Sequence, residues 1–414
     1  MKKKQQAPLT PDAYLAALKE AMIQARTLSR EELITLEKST RIFRSARAMS
    51  SLTQEELKYT STQMISKIEN GKRIPTPDEV LDLAKTTGNP TLLGYYCTVY
   101  CSLNYIPPEH QMRVFGIEEA KEQMALGFQS LENGITQLLE VLQDSRVEEE
   151  EFSRFFSALS TLKQISNAIH GLRNWAVIHH LIPLTLDPQQ ETGIRLADLR
   201  NEAKETQETV AELVGISRPA LVAMERDFDA NPCSLPQKDS IRNRFNLLAD
   251  HYHAPALYET FCRCQCPIGQ CSRLPHWKDD LADIACGFLA QVLLLQQEQV
   301  LSSLREILED NVVGREEEED FLASMNRLKT FCDYTDSMIH YGQRYLTSHL
   351  RIYMQAIRRG DFLKRPYAER CLRTLKVLGY SKKYTEKYYE EIQKLIKKKE
   401  KTSFLKLWTD SNMQ

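Results

Sequence analysis

Apolar residues recur every three or four positions through long parts of the chain, which is the spacing of amphipathic α-helices. Two consecutive stripes of this kind comprise Ile117, Ala120, Met124, Phe128, Leu131, Ile135, Leu138 and Leu142, then Phe152, Phe155, Leu159, Leu162, Ile165, Ile169 and Leu172. Asp144 and Ser145 between them supply turn and capping chemistry, and Glu148 to Glu151 place negative charge on the first turn of the second helix. The pattern predicts a long antiparallel helical hairpin.

A second pair of stripes predicts a second hairpin later in the chain. Its residues are Leu281, Ile284, Phe288, Leu295, Leu301, Leu304 and Leu308, then Phe321, Met325, Leu328 and Phe331. Another acidic cluster, Glu316 to Asp320, precedes the second arm. Apolar stripes of this kind are far more often core or dimer contacts than cofactor sites. Acidic residues are favourable at the N-terminus of a helix, which explains the acidic clusters better than metal binding does.

The chain also repeats itself. Leu83-Ala84, Pro90, Leu92, Cys97 and Cys101 recur, with a constant shift of 165 residues, as Leu248-Ala249, Pro255, Leu257, Cys262 and Cys266. Thr53-Gln54 returns as Thr206-Gln207 with a smaller shift. A repeat of this length indicates two copies of one structural unit of about 150 residues.

The segment from Thr206 to Glu225 has the pattern of two short helices joined by a tight turn. We expect Thr206 to cap the first helix, Gly215 to allow a positive φ in the turn and Ser217 to cap the second helix. The residues expected to face the core are Val210, Ala211, Leu221 and Met224. This is a helix-turn-helix pattern, and it resembles the Cro and lambda-repressor type of the XRE group of bacterial and phage regulators. The resemblance implies that the second helix enters the major groove of DNA.

The first copy resembles the same group at both ends of the motif. Leu52 to Leu57 matches its opening, and Ser61 to Lys72, with the ending Ile-Glu-Asn-Gly, matches its recognition helix and the turn that follows. About three residues are missing between the two pieces, and Tyr59-Thr60 stands where the group usually has Gly-Val. The turn must therefore be rebuilt in this copy.

The resemblance implies which side chains contact DNA. Side chains that donate to base edges are expected in the first copy. Contacts with phosphates are expected at Lys72, Arg73, Gln54 and Gln207. The outward face of the second copy offers Arg218 as its one good hydrogen-bonding side chain. The predicted DNA-binding residues are Gln54, Ser61, Thr62, Gln63, Ser66, Lys67, Lys72, Arg73, Gln207, Ser217 and Arg218. The first copy is thus expected to read the sequence, while the second orients the molecule or pairs with a neighbour.

We predict an all-α fold in which each of two tandem repeats has a helix-turn-helix domain followed by a long helical hairpin, with a basic helical extension at the C-terminus. The predicted divisions are a helical extension over 1–35, helix-turn-helix domains over 36–96 and 189–261, hairpins over 97–188 and 262–348, and the basic region over 349–414.

Charge is balanced overall but unevenly distributed. The chain has 54 Lys and Arg against 56 Asp and Glu, yet residues 351–414 alone hold 17 basic and 7 acidic residues. Lysines and tyrosines alternate in this region: Tyr380, Lys382, Lys383, Tyr384, Tyr388, Tyr389, Lys397, Lys398, Lys399 and Lys401. The mixture suits contact with a nucleic-acid backbone, although the tyrosines equally fit the inner face of a terminal helix and the lysines a solvated one.

Several classes of protein and site are disfavoured. No apolar window is long enough for a signal peptide or a membrane span, and ten cysteines in 414 residues are too few for a disulfide scaffold. A cytoplasmic protein without membrane attachment is expected. The chain has no phosphate-binding glycine loop and no hydrolase motif, so we predict no enzyme activity and no cofactor.

One cysteine cluster leaves an alternative open. Cys262, Cys264, Cys266 and Cys271 lie within ten residues, with His251, His253 and His276 nearby. Thiolates and imidazoles bind zinc, but the spacing differs from a Cys-x2-Cys knuckle. Ordinary buried thiols are the favoured interpretation over a structural metal or a redox sensor, so no metal is predicted.

The predicted function is sequence-specific binding of double-stranded DNA by a bacterial or phage transcriptional regulator, with two units in one chain able to cover two half-sites. The partners considered besides DNA are a second copy of the chain, which would form a homodimer through the hairpins, and a protein or peptide effector. The alternative is a helical regulator or scaffold whose hairpins bind a peptide or protein, with DNA binding secondary or lost.

Overall fold

A computed structural model describes residues 10–25, 28, 30–57, 60–103, 105–142, 147, 151–186, 195–230, 239–252, 254, 256–271 and 281–411. Within these ranges the chain is helical, and the β-type pairing is limited to one isolated bridge between Tyr105 and Tyr380. The predicted all-α class is confirmed.

Six α-helices lie in the described residues of the N-terminal part, and they include the first helix-turn-helix segment. They are α1 (Pro11–Ala25), α2 (Arg30–Thr40), α3 (Ile42–Met49), α4 (Thr62–Glu69), α5 (Pro77–Thr87) and α6 (Thr91–Val99). Helix α5 begins with a capping box: Thr76 accepts from the backbone N–H of Glu79, and the Glu79 side chain accepts from the backbone N–H of Thr76. The buried faces of these helices form one continuous core.

A buried glutamate in this core makes stability depend on pH. Glu37 accepts hydrogen bonds from the Tyr95 hydroxyl (2.9 Å) and the Phe43 backbone N–H (3.2 Å), and burial raises its pKa from 4.5 to about 8. Between these pKa values the folded chain keeps a proton that the unfolded chain releases. The contribution of Glu37 to the free energy of unfolding is therefore complete below pH 4.5 and is lost as the pH rises through 8.

We predict that Glu37→Gln removes this pH dependence, because glutamine keeps the neutral shape without a titrating proton. From pH 5 to pH 8 the wild-type protein should lose about 1.4 kcal/mol more stability per pH unit than the variant does. Urea unfolding at four pH values measures the difference. Parallel stability profiles for the two proteins would show that Glu37 is already ionised in the folded state.

The first predicted hairpin is confirmed as α7 (Ile117–Leu142) and α8 (Phe152–Ile178). The two helices pack closely along their lengths, and a Cβ on Gly127 of α7 would overlap the Ile165 side chain of α8. The expected cap at Asp144 and Ser145 lies outside the described residues.

Six shorter helices follow: α9 (Leu196–Glu202), α10 (Gln207–Leu213), α11 (Arg218–Ala230), α12 (Asp239–His251), α13 (Ala256–Gln265) and α14 (Pro267–Gln270). The remaining helices are α15 (Leu281–Gln297), α16 (Val300–Ile307), α17 (Glu318–Arg358), α18 (Arg365–Leu378) and α19 (Lys382–Ser411).

The second hairpin differs from its prediction in both arms. Gln299 takes a left-handed conformation, with φ of 51°, and breaks the first arm into α15 and α16, which meet at 55°. The second arm, α17, runs to Arg358, since Leu350, Tyr353 and Ile357 continue its buried stripe. The predicted boundary at residue 349 lies inside this uninterrupted helix.

Three other predicted boundaries also fall inside helices: 35/36 in α2, 96/97 in α6 and 261/262 in α13. Each helix carries its buried face across the proposed division, so the units share a core at these points.

The two hairpins pack against each other in the same chain. Phe152 of α8 meets Tyr345 of α17 edge to face, with ring centroids 6.0 Å apart, and Gly342 of α17 lets the helix approach Leu159 of α8 closely. The apolar stripes are thus used within one molecule. A homodimer would have to use the outer faces of the hairpins.

Candidate nucleic-acid interface

Helix α4 is the predicted recognition helix of the first copy. Its N-cap, Ser61, accepts a hydrogen bond from the backbone N–H of Met64 at 3.4 Å, and Ile65 and Ile68 anchor its inner face in the core. The outward face follows from this anchoring, because positions between the buried ones point to solvent. Exposed on or beside it are Ser61, Thr62, Gln63, Lys67 and Lys72, while Ser66 is partly buried.

The rest of the first motif differs from a regular helix-turn-helix. Residues 54–57 form a bend and a short turn where a first helix is expected, so Gln54 does not stand at a helix N-terminus. The missing residues leave too little chain for a full helix before α4 begins. Glu56 still accepts from the backbone N–H and the hydroxyl of Thr53, at 2.6 and 2.8 Å, which is the start of a helix cap. Tyr59 lies outside the described residues.

The segment predicted to be the second copy, α9 to α11, has the local helix-turn-helix geometry expected of it. Thr206 caps α10 by accepting from the Thr209 backbone N–H (3.2 Å), and Ser217 accepts from the Ala220 backbone N–H (3.3 Å) at the start of α11. Gly215 between the helices has φ of 66°, as its position in the turn requires. The predicted core residues Val210, Ala211, Leu221 and Met224 are all buried.

A buried Arg–Glu–Gln cluster occurs at the end of α4 and again in α11, and the sequence motifs did not reveal it. In the first, the Arg47 guanidinium donates to both carboxylate oxygens of Glu69, at 2.5 and 3.0 Å, and to the Leu52 carbonyl. The Gln54 amide donates to the same carboxylate at 2.7 Å. The cluster fastens the end of α4 to α3 and to the turn at Gln54.

The second cluster has the same donors and acceptors. Arg200 donates to both carboxylate oxygens of Glu225, at 2.6 and 3.3 Å, and to the Glu205 carbonyl, while Gln207 donates at 3.0 Å. Arginine and glutamine are seven residues apart in each copy, but glutamine and glutamate are 15 apart in the first and 18 in the second. The missing residues therefore lie between Gln54 and Glu69.

These clusters limit the predicted phosphate contacts of Gln54 and Gln207. One N–H of each side-chain amide already donates to a buried glutamate, at 2.7 Å for Gln54 and 3.0 Å for Gln207. Only the second N–H remains for a phosphate. Gln54 also lacks the helix N-terminus expected to assist it, because residues 54–57 are not helical.

Two of the predicted arginines already have acidic neighbours. Arg73 lies 2.7 Å from Glu79 in a partly buried pair, and the exposed Arg218 lies 2.9 Å from Glu208. An exposed pair of this kind is weak and can open to a phosphate at little cost. Lys67 and Lys72 project from the first copy as exposed side chains.

The outward face of the second copy is less suited to DNA than that of the first. Leu213 and Val222 are exposed apolar side chains, at 43% and 38% of their areas. Ser217, Pro219 and Ala220 are exposed beside them. Such a face has few donors for base edges or phosphates.

The cysteine cluster is mostly internal. Cys97, Cys262, Cys264, Cys266 and Cys271 are buried, and burial raises the pKa of the Cys262 thiol well above its ordinary value, with neighbouring Cys266 and Cys101 raising it further. Cys101 thus lies near Cys262 and Cys266. His253 and His276, the other ligands considered for zinc, lie outside the described residues.

The basic C-terminal helix has an inner and an outer face. Tyr380, Tyr384, Tyr388 and Ile392 are buried, so the tyrosines form core contacts, and removal of the chain after Gly379 would expose that core. Exposed lysines stand on the outer face at Lys382, Lys383, Lys387, Lys394, Lys397 and Lys398. Among these, Lys382 pairs with Glu386, Lys387 with Asp250 and Lys394 with Glu390.

We predict that the double substitution Lys383→Gln and Lys397→Gln weakens DNA binding without unfolding the helix, because both side chains are exposed. The slope of log affinity against log salt should become shallower by about 0.9 for each phosphate that the helix no longer neutralises. Arg305→Gln with Arg315→Gln, at exposed positions of the second hairpin, is the control of equal charge. Equal slopes for the two variants would remove the C-terminal helix from the DNA interface.

Among the described helices, none alone is long and apolar enough to cross a membrane. Helices α15 and α16 reach that length and apolar content only when the two are taken together, and they are bent relative to each other.

Comparison with known proteins places the first copy. No curated protein and no solved structure matches the chain. A protein-family model described as helix-turn-helix matches residues 43–92, which run from α3 into α6 and include α4 and the Arg47–Glu69–Gln54 cluster. Residues 43–92 thus correspond to a helix-turn-helix domain of the XRE type, a kind of domain that binds double-stranded DNA.

Proposed function

We propose that the protein is a sequence-specific DNA-binding regulator of transcription, of bacterial or phage type, that reads DNA chiefly through α4. The observation that carries the proposal is the outward face of α4, where Thr62, Gln63 and Lys67 are exposed on a capped helix within the matched domain. These side chains can donate to base edges in a major groove, which is wide enough to admit an α-helix.

The first copy is suited to recognising a DNA sequence because its recognition helix is held in a fixed position. Arg47 and Gln54 both bind Glu69 at the end of α4, so the helix is fixed at the end opposite its Ser61 cap. A fixed helix presents its side chains in one register, which specificity requires. Lys72, just beyond it, is exposed and suited to a phosphate.

We propose that the segment from α9 to α13 is a second copy of the same unit with a different role. The shared Arg–Glu–Gln cluster and the shared burial of Leu92 and Leu257 support a common origin of the fold. Its apolar, donor-poor outward face favours orientation or pairing over base reading. Each chain is then expected to read one half-site strongly.

Regulation in this proposal is steric. A chain bound through α4 places the hairpin core over neighbouring DNA, where it occludes or organises a promoter. A cytoplasmic location follows from this role.

Salt dependence tests whether the protein binds DNA through phosphates at all. We expect the affinity for a duplex to fall steeply and linearly on a log–log plot as salt rises, because bound phosphates release counterions. With six phosphate contacts the slope would be about −5. A flat plot would reject the proposal.

A second candidate function is a helical scaffold that binds a protein or peptide partner. The observation that favours it is a groove of about 330 Å³ between α7 and α15–α16, lined by Phe128, Leu131, Val292 and Leu295 among others. A protein without salt-dependent DNA affinity would fit this function instead.

A further inference from the structure

Three metal-binding side chains converge where the two hairpins meet. His170 of α8 lies opposite Cys332 and Asp336, which are one turn apart on α17. The His170 Nε2 is 2.7 Å from Asp336 Oδ2 and 3.5 Å from Cys332 Sγ, and that Sγ is 3.7 Å from Asp336 Oδ2. All three ligand atoms lie within 4.8 Å of one another.

The arrangement differs from a catalytic relay. In a nucleophile–histidine–carboxylate relay, the carboxylate and the nucleophile contact different ring nitrogens. Here the same nitrogen of His170 faces both the thiol and the carboxylate, at 3.5 and 2.7 Å. A nitrogen, a sulfur and an oxygen within 4.8 Å of one another can instead share one metal ion.

We propose that His170, Cys332 and Asp336 bind one divalent transition-metal ion of the zinc class. Thiolate, imidazole and carboxylate are all zinc ligands, and three protein ligands leave the fourth tetrahedral position for water. His170 is the partly exposed member, with 13% of its side chain accessible, so it marks the side from which the ion enters.

A neighbouring hydroxyl orients the carboxylate. Ser166, one turn before His170 on α8, donates to the other oxygen of Asp336 at 2.5 Å. Such outer contacts hold a ligand in position and tune affinity. Ser166 is therefore a positioning residue and not a ligand.

The charges around the site are mixed. Lys163 of α8 is buried and Asp333 of α17 is half-buried near Asp336, and Arg173 lies close enough to influence Asp333. The Lys163 ammonium partly offsets the carboxylates before an ion binds. Zinc-class ions bind cysteine as the thiolate, so an ion bound here displaces the Cys332 thiol proton.

The site joins the halves of the molecule, since α8 belongs to the first hairpin and α17 to the second. An ion bound only by the folded state stabilises that state by an amount that grows with the logarithm of the ion concentration once this exceeds Kd. Metal availability would then control how firmly the two hairpins are held together. Nothing in this site is shared with α4, so it can fail while DNA binding stands.

Cobalt titration of the reduced, full-length protein tests the proposal, because Co²⁺ substitutes for zinc and reports a thiolate ligand by a charge-transfer band. We expect one equivalent to produce that band together with the visible bands of tetrahedral cobalt. Cys332→Ser and His170→Gln should each abolish the charge-transfer band or lower the affinity at least about 100-fold. Ser166→Ala should lower affinity by about 10-fold.

Two further thiols provide controls. Cys286→Ser removes an exposed cysteine of α15 and should leave the spectrum unchanged, as should Cys371→Ser, which removes a buried cysteine of α18. Circular dichroism checks that each variant is folded. If Cys332→Ser does not fold, His170→Gln is the variant that tests the site. The absence of a charge-transfer band in the wild type, or its loss in Cys262→Ser with retention in His170→Gln, would overturn the assignment.

Discussion

Replacing Gln63 and Lys67 together with alanine is expected to lower affinity for a selected duplex by about 100-fold, while affinity for unrelated DNA falls much less. Both side chains are exposed on α4, and a base-edge contact is worth about 1–3 kcal/mol. Fluorescence anisotropy at fixed salt measures both affinities. The loss should be larger on the selected duplex because base contacts distinguish sequences and phosphate contacts do not.

The matched control for this prediction lies in the second copy. Ser217→Ala with Arg218→Ala changes two exposed residues at the start of α11, and we expect less than about a threefold effect because that face offers few donors. If the second pair proves as damaging as the first, both copies read DNA and the division of roles is wrong.

Removing Glu69 is expected to destabilise the protein by about 3–5 kcal/mol, because Glu69→Ala leaves the charge of the mostly buried Arg47 guanidinium without the carboxylate that neutralises it. Gln54 loses its acceptor in the same variant. Glu225→Ala should have a similar effect through Arg200. Chemical denaturation followed by circular dichroism provides the free energies of unfolding.

Two variants separate the ion pair from other effects. Glu55→Ala, at an exposed position of the neighbouring turn, should change stability by less than about 0.5 kcal/mol. Arg47→Met with Glu69→Leu replaces the pair by apolar side chains and should recover most of the loss, because no buried charge then stands alone. An equally unstable double variant would show that the cost arises from packing.

Much of this fold follows from local patterns. The apolar stripe from Phe152 to Leu172 predicted α8. Apolar residues spaced every three or four positions come together on one side only when the segment is helical. The caps Thr206 and Ser217 and the turn at Gly215 were likewise predictable, since each depends on residues within three positions of it.

The features that local patterns could not provide depend on distant residues. The Arg47–Glu69 pair joins positions 22 residues apart, and a charged residue within a sequence does not indicate whether it will be buried. The repeated arginine seven residues before each glutamine was a usable signal once the copies were aligned. The cluster of His170 with Cys332 spans 162 residues and depends on how the two hairpins pack.

The two largest departures have simple physical causes. The first copy lacks the residues needed for a helix at 54–57, so its opening is a turn even though its sequence matches a helix start. The bend at Gln299 follows a polar run, Gln296 to Gln299, in which no apolar side chain holds the helix to the core.

Selection of bound fragments from a random DNA pool tests the central claim, that α4 reads sequence in a major groove. We predict that the wild-type chain and the Ser217→Ala, Arg218→Ala variant enrich the same short motif, whereas the Gln63→Ala, Lys67→Ala variant enriches none or a different one. Enrichment of no motif by the wild type, or of an unchanged motif by the α4 variant, would contradict the account.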